Sequence, residues 1–272
     1  WRDADGKRWS FSNTAILEDT TLVASWVTEQ FELEPGGTYY FDMSASGVPG
    51  TVCGNLPDTT LHYVPFTYTG TIEAYVLDSR SNGVTGASAN AAQTKEGDEV
   101  KYGYVYPHSL FISNYVLTNC VGWTTLKAKN WVYGGKEFKA GGVNYSVRMP
   151  SGGSRGEGRA DPENNEWDAI LDKNGGWIQN AGGIASWVQD VSYADGGCRV
   201  QRGGIGNVRR TFVYLMAGAG LHTIGYRPVL QPKNPEALGA DAFKPVTLNL
   251  GGATLADGTD VLQIIVKNGA DY

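Results

Sequence analysis

Ligands for soft metals are scarce in this chain. Its 272 residues include 3 Cys and 3 His. Cys53, Cys120 and Cys198 stand far apart, with no Cys-x-x-Cys and no His beside any of them. That spacing argues against a zinc site. An odd count allows one disulfide at most, and buried thiols packing as small hydrophobes are the simpler expectation. His62, His108 and His222 show no paired spacing, which argues against a three-histidine iron centre. Charge is also low, at 18% Asp, Glu, Lys and Arg, with a net charge of −6 and no run of Lys or Arg. Nucleic acid and anionic bilayers reward a basic surface, so neither is expected as a partner. The longest apolar run, FVYLMAGAGL at 212–221, falls well short of the roughly 20 residues that span a bilayer. No membrane insertion and no secretion signal are expected. The chain opens on WRDADGKRWSF rather than on Met, as expected of a processed chain or a fragment. G-x-S-x-G, P-loop and H-E-x-x-H patterns are all missing.

Glycine and aromatic residues are plentiful: 37 Gly, 15 Tyr and 8 Trp, with 41% hydrophobic residues overall. Such a composition describes a turn-rich β protein with a sizeable core. Residues 1–26 hold a DADGK turn, an alternating WSF strand and a second short strand, LVASW. From 27 to 142 come strand-like runs, including GGTYYFDMSASG, TTLHYVPFTYTG, TIEAYVLDS and VKYGYVYPHSLFISNYVL. The polar, small-residue stretch 79–97 reads as a surface loop. NYSVRMP opens the region 143–231, and 246–272 adds VTLNL, an ADGTD turn and VLQIIVKNG.

Two helices are expected. One is short, around 124–131. The other spans 161–176, with Asp161 as its cap and Pro162 in its first turn. Trp167, Ile170 and Leu171 share one face, and Gly175 ends it. Asp161, Glu163 and Glu166 sit where a helix dipole attracts acids. Asp161, Glu163, Asn164 and Asn165 also form an oxygen-rich set that could hold calcium, although no other cofactor is expected.

Asp19, Thr21, Leu22, Ala24 and Trp26 form a D-x-T-L-x-A-x-W pattern. It resembles the closing part of the β-grasp-like repeats of internalin-type bacterial surface proteins. Residues 246–272, with VTLNLGG and IIVKNG, resemble the opening of the same repeat. The two ends are therefore expected to meet, within one chain or between adjacent copies, because half a sheet leaves edges exposed.

Four further segments occur in order: YSVRMP at 145–150, NEWDAIL at 165–171, RVQRGG at 199–204 and GYRPVL at 225–230, with SWVQD at 186–190 between the middle pair. Together they resemble the C-type-lectin-like fold in its formylglycine-generating-enzyme branch. That branch includes the variable proteins of diversity-generating retroelements and related phage and bacterial surface proteins. The resemblance implies a β-rich α+β fold, with a C-type-lectin-like core at 143–231 and few short helices. It also implies a protein outside the cell, on a virion or a bacterial surface.

The oxidases of this branch need a cysteine pair after the RGG motif, and IGNVRRTFVYLMAGAGLHTI at 205–224 contains no cysteine. The expectation is a fold kept without the catalysis, so no enzyme. Arg199, Arg202, Gly203, Gly204, Tyr226 and Arg227 would then be a structural frame, with the arginines clamping carbonyls or pairing with Asp190 or Glu166. Trp167, Trp177 and Trp187 are expected in the core. The interval 205–223 is the candidate ligand-binding loop, through Asn207, Arg209, Arg210, Phe212, Tyr214 and His222. TFVYLM within it also reads as a buried strand. The expected function is that of an adhesin or receptor-binding protein for a cell-surface protein or glycan. The alternative is a structural subunit that self-associates through residues 1–26 and 246–272.

Overall fold

The sequence SLFIS at 109–113 alternates in a way that settles the architecture. Phe111 points into one hydrophobic cluster, while Leu110 and Ile112 point into another. A strand that is apolar on both faces belongs in the middle of a layered protein. The computed structural model describes residues 33–77, 105–157, 159–161, 164–173, 183–192, 196–204, 212–233 and 243–267. Within these the protein is β-rich, with short helices.

The early elements are β1 (Thr38–Phe41), β2 (Thr51–Val52), β3 (Val64–Tyr75), β4 (Val105–Ser113) and β5 (Thr118–Asn119). Helix α1 (Trp123–Ala128) follows, then β6 (Tyr133–Ala140), β7 (Val143–Arg148), β8 (Arg155–Glu157) and β9 (Arg159–Asp161). Helix α2 (Glu166–Lys173) precedes β10 (Ala185–Val191), β11 (Cys198–Gly203), β12 (Phe212–Met216), β13 (Ile224–Tyr226) and β14 (Val229–Pro232). A last hairpin joins β15 (Phe243–Asn249) to β16 (Val261–Lys267).

One antiparallel sheet runs β1-β3-β4-β14-β7-β6. The other runs β12-β11-β10-β13-β5-β2, with β10 and β13 parallel. Both sheets therefore contain strands from 33–142 and from 143–232. The segment 224–232 is central to each: β13 lies between β10 and β5, and β14 between β4 and β7.

Phe41 anchors the main core. Its ring meets Phe66, Phe111 and Tyr145 edge-on, with centroids 5.2, 5.4 and 5.6 Å away, the geometry aromatic quadrupoles favour. On the other face, Trp167, Ile170 and Leu171 of α2 pack with Ile72, Leu110, Ile112, Val188 and Val200. β3 serves both layers because its register with β4 shifts between Tyr68 and Thr71. That bulge carries the even positions from one face to the other. Phe66 and Tyr68 enter the first cluster, while Ile72 and Ala74 enter the second.

The hairpin of β15 and β16 forms its own two-stranded sheet. Leu262 and Ile264 lie on Tyr40 of β1 in a small third cluster, and the Lys267 amide donates to the Gly141 carbonyl at 2.7 Å. Residues 1–26 lie outside the described residues. So does all of 79–97.

The short helix expected at 124–131 is present as α1. The expected 161–176 helix is shorter: it is α2, and Asp161 belongs to β9. The cap is Asn165. Its Oδ1 accepts the Asp168 amide at 2.9 Å, and its Nδ2 donates to Asp168 Oδ2 at 2.8 Å. Asn-x-x-Asp is a capping-box spacing that competes with the Asp-Pro signal upstream.

Gly225 sits where β13 crosses closest to β5. A Cβ there would lie 2.0 Å from the Thr118 carbonyl oxygen and 2.6 Å from a Val116 methyl. The Thr118 oxygen is backbone in a paired strand and has no room to retreat. Gly225→Ala is expected to destabilise the fold by about 3 kcal/mol or more, read as a drop in urea midpoint. An unchanged midpoint would contradict this packing.

Candidate functional site

The RVQRGG motif occupies β11, held between β10 and β12, with Gln201 opposite Trp187 and Val200 opposite Tyr214. Successive side chains alternate across the strand. Arg199 turns to one side, where its Nη1 donates to the carbonyls of Gly196 and Cys198 at 2.8 and 2.9 Å. Its guanidinium stands 4.3 Å from the Trp123 ring centre, a cation–π contact. Arg202 is fully buried and donates to the Gly152 carbonyl and to Asp168 Oδ1, the latter at 2.7 Å. Gly203 and Gly204 take φ of +77° and +96°, left-handed values that let the chain leave β11 at a sharp bend.

Beyond the interval, Tyr226 and Arg227 are also enclosed. The Tyr226 hydroxyl donates to the Trp131 carbonyl at 3.2 Å. Arg227 donates through Nη1 to the Ser113 carbonyl at 2.6 Å and through Nε to Ser186 Oγ at 2.9 Å. Burial pulls its guanidinium down to about 9. Trp167 lies between the two buried arginines, with Arg202 at 5.8 Å and Arg227 at 6.0 Å from its ring centre.

The acids pair differently from expectation. Asp168, not Asp190 or Glu166, carries the ion pair with Arg202. Glu166 receives two N–H groups of Arg148, each at 2.6 Å, His108 Nε2 at 2.7 Å and the Ser151 amide at 2.9 Å. Burial alone would raise this carboxyl, but Arg148 and His108 outweigh it and hold it at about 2. Asp190 faces the Tyr75 hydroxyl at 2.5 Å and the Gly152 amide at 2.6 Å. For this group burial wins, lifting the carboxyl to about 6. Three successive amides, Ser151, Gly152 and Gly153, thus donate to Glu166, Asp190 and Tyr75. Arg148 sits in the quoted YSVRMP run, but nothing in a β-strand pattern marks its head group as buried.

Of the candidate loop residues, Asn207, Arg209 and Arg210 lie outside the described residues. Phe212 and Tyr214 have backbones in β12, opposite Arg202 and Val200. The TFVYLM stretch is therefore a strand from Phe212 to Met216. His222 is exposed in the loop between β12 and β13, and its carbonyl accepts Asn119 Nδ2 at 3.0 Å. Cys120 N donates to the Leu221 carbonyl at 3.1 Å. These two bonds hold the loop against β5 while it presents Leu221, 45% exposed, beyond Met216 at the end of β12, 69% exposed.

Cys53 and Cys198 are buried thiols, and Cys120 is an exposed one. Burial raises the Cys53 thiol to about 11. Among the described residues no group of three or more His, Cys, Asp or Glu side chains is gathered as metal ligands would be. Of the oxygen-rich set, Glu163 lies outside the described residues, and Asn165 uses its side chain in the helix cap. No described helix is long and apolar enough to cross a membrane.

The raised Asp190 carboxyl gives a pH signature. The unfolded group releases its proton near 3.8 and the folded one near 6. Between those values the folded chain binds the extra proton, so this group makes stability fall as pH rises through the window. The loss amounts to about 3 kcal/mol by linkage. Urea unfolding of the native chain and of Asp190→Asn at several pH values is expected to show this fall only with Asp190. Parallel pH profiles would contradict it.

No family model, curated protein or solved structure matches the chain, so its function is read from its own residues.

Proposed function

We propose that the chain is a non-enzymatic receptor-binding protein with a C-type-lectin-like fold, acting outside the cell on a bacterial or virion surface. The observation that carries this reading is the contrast across the interval. Arg202 and Arg227, on its two sides, are fully enclosed. Between them the chain turns outward, with Met216, Leu221, His222 and Thr223 exposed. A rigid buried frame under an exposed loop lowers the ordering cost of binding. Arginine and tyrosine in NVRRTFVYL supply contact area and hydrogen bonds together. A cell-surface protein or a glycan is the partner class that such a surface suits.

Binding to intact bacterial cells and to a glycan panel tests this reading. The variant Arg209→Ala, Arg210→Ala, Tyr214→Ala is expected to lose about tenfold or more in affinity at an unchanged melting temperature. Binding that is equal in a folded triple variant would remove the loop as the site.

The last hairpin favours a second role, that of a subunit in an assembly. The Leu250 amide bonds to Asp260, which turns the even positions of β15 toward β16. The N–H and C=O groups of Thr247 and Asn249 then face away, and among the described residues no strand pairs with them. Such an edge accepts another strand. In this reading the repeat-like ends complete one another between copies. Light scattering is expected to show concentration-dependent growth that ends when 246–272 is deleted; a monomer at every concentration would exclude it.

A further inference from the structure

His108 is a β4 side chain, 4% exposed. Its Nδ1 lies 2.9 Å from the Tyr106 carbonyl oxygen, and its Nε2 lies 2.7 Å from Glu166 Oε1. A carbonyl oxygen has no hydrogen to give. Neither has an ionised carboxylate, and Glu166 is kept ionised by the two N–H groups of Arg148. A neutral imidazole carries only one N–H. In this setting it would turn a ring lone pair toward an oxygen lone pair at one end. Flipping the ring would replace both nitrogens by carbons and lose both bonds.

We propose that His108 is held as an imidazolium, and that its second ring hydrogen is a structural part of the fold, a proton-operated latch joining β4 to α2 through Glu166. The neighbouring charges agree with this assignment. Glu166 of α2 faces the ring directly. Arg148 of β7 donates to both oxygens of the same carboxylate. Gln231 of β14 is neutral and accepts Arg148 Nε at 3.2 Å and Nη2 at 2.9 Å. The Tyr106 ring lies 4.5 Å from His108, centre to centre. On β3 the residue opposite His108 is Ile72, and Glu73 is exposed. The other charges of α2 are turned elsewhere: Asp168 to Arg202, and Lys173 to the Thr69 and Thr71 carbonyls. Asp172 is exposed. One anion thus lies between two cations, and the hydrogen on Nε2 is the direct tie from β4 to the first turn of α2. Loss of either ring hydrogen leaves a buried acceptor facing a lone pair, which breaks one tie.

The test uses the full chain labelled with nitrogen-15. Long-range proton–nitrogen correlations of the histidine rings at neutral pH separate protonated nitrogens from pyridine-like ones. His62→Gln and His222→Gln, both at exposed positions, assign the remaining ring to His108 by elimination. Two protonated nitrogens are expected; one pyridine-like nitrogen would overturn the proposal. Hydrogen exchange then reads the latch. Corrected for intrinsic base catalysis, protection of the α2 amides is expected to fall about tenfold as pH is raised and the ring loses its second hydrogen. His108→Gln is expected to show no such fall. A flat profile in the native chain, or the same fall in both, would overturn the latch; if His108→Gln does not fold, the ring spectrum of the native chain still decides.

Discussion

A carboxylate that must stay ionised away from water organises the centre of this protein. Glu166 is completely enclosed, and taking such a group out of water costs several kcal/mol unless donors replace the lost hydration. The donors come from three directions: Arg148 at the end of β7, His108 on β4 and the Ser151 amide just beyond β7. Any arrangement that satisfies the anion therefore fixes where those three meet the start of α2. Asp168, two residues further on in the first turn of α2, repeats the logic with Arg202. Such pairs set position more than they add stability, since apolar residues of equal volume often serve as well. Here they place β11, and so the frame of the candidate loop, against α2.

Much of this was legible in the chain. Runs such as VPFTYTG and SLFIS carry the β-branched and aromatic residues that fill pleated, half-buried surfaces, and they are strands. The apolar face of α2 followed from Trp167, Ile170 and Leu171. Its start did not, because Asp161-Pro162 and Asn165-x-x-Asp168 both satisfy local capping rules. The choice between them is made by burial of Glu166 and Asp168, which is tertiary. The switch of faces in β3 was equally hidden, because simple alternation would put Phe66 and Ile72 on one side. The arginines were recognisable as clamps, but their partners lie up to 114 positions away, and no spacing rule reaches that far.

The candidate loop was singled out by what flanks it, and the described residues give those flanks physical substance. Close contacts between backbones, charges satisfied indoors and edge-on aromatic rings make a stiff base. The loop between β12 and β13 is tied there by Asn119 and Cys120, yet leaves Leu221, His222 and Thr223 exposed.

The position of 224–232 in the middle of both sheets bears on how the chain is made. Until the ribosome has released that segment, each sheet exists as two separate pieces: β1-β3-β4 and β7-β6 on one side, β12-β11-β10 and β5-β2 on the other. Every piece then shows an open edge where β13 or β14 will enter, and such edges invite mispairing in a crowded cell. The nascent protein thus carries unfinished sheets until residues 224–232 emerge, and closes both with those nine residues. A chaperone that shields β edges would have its greatest effect in that interval, and a stop codon anywhere before 224 would leave neither sheet whole.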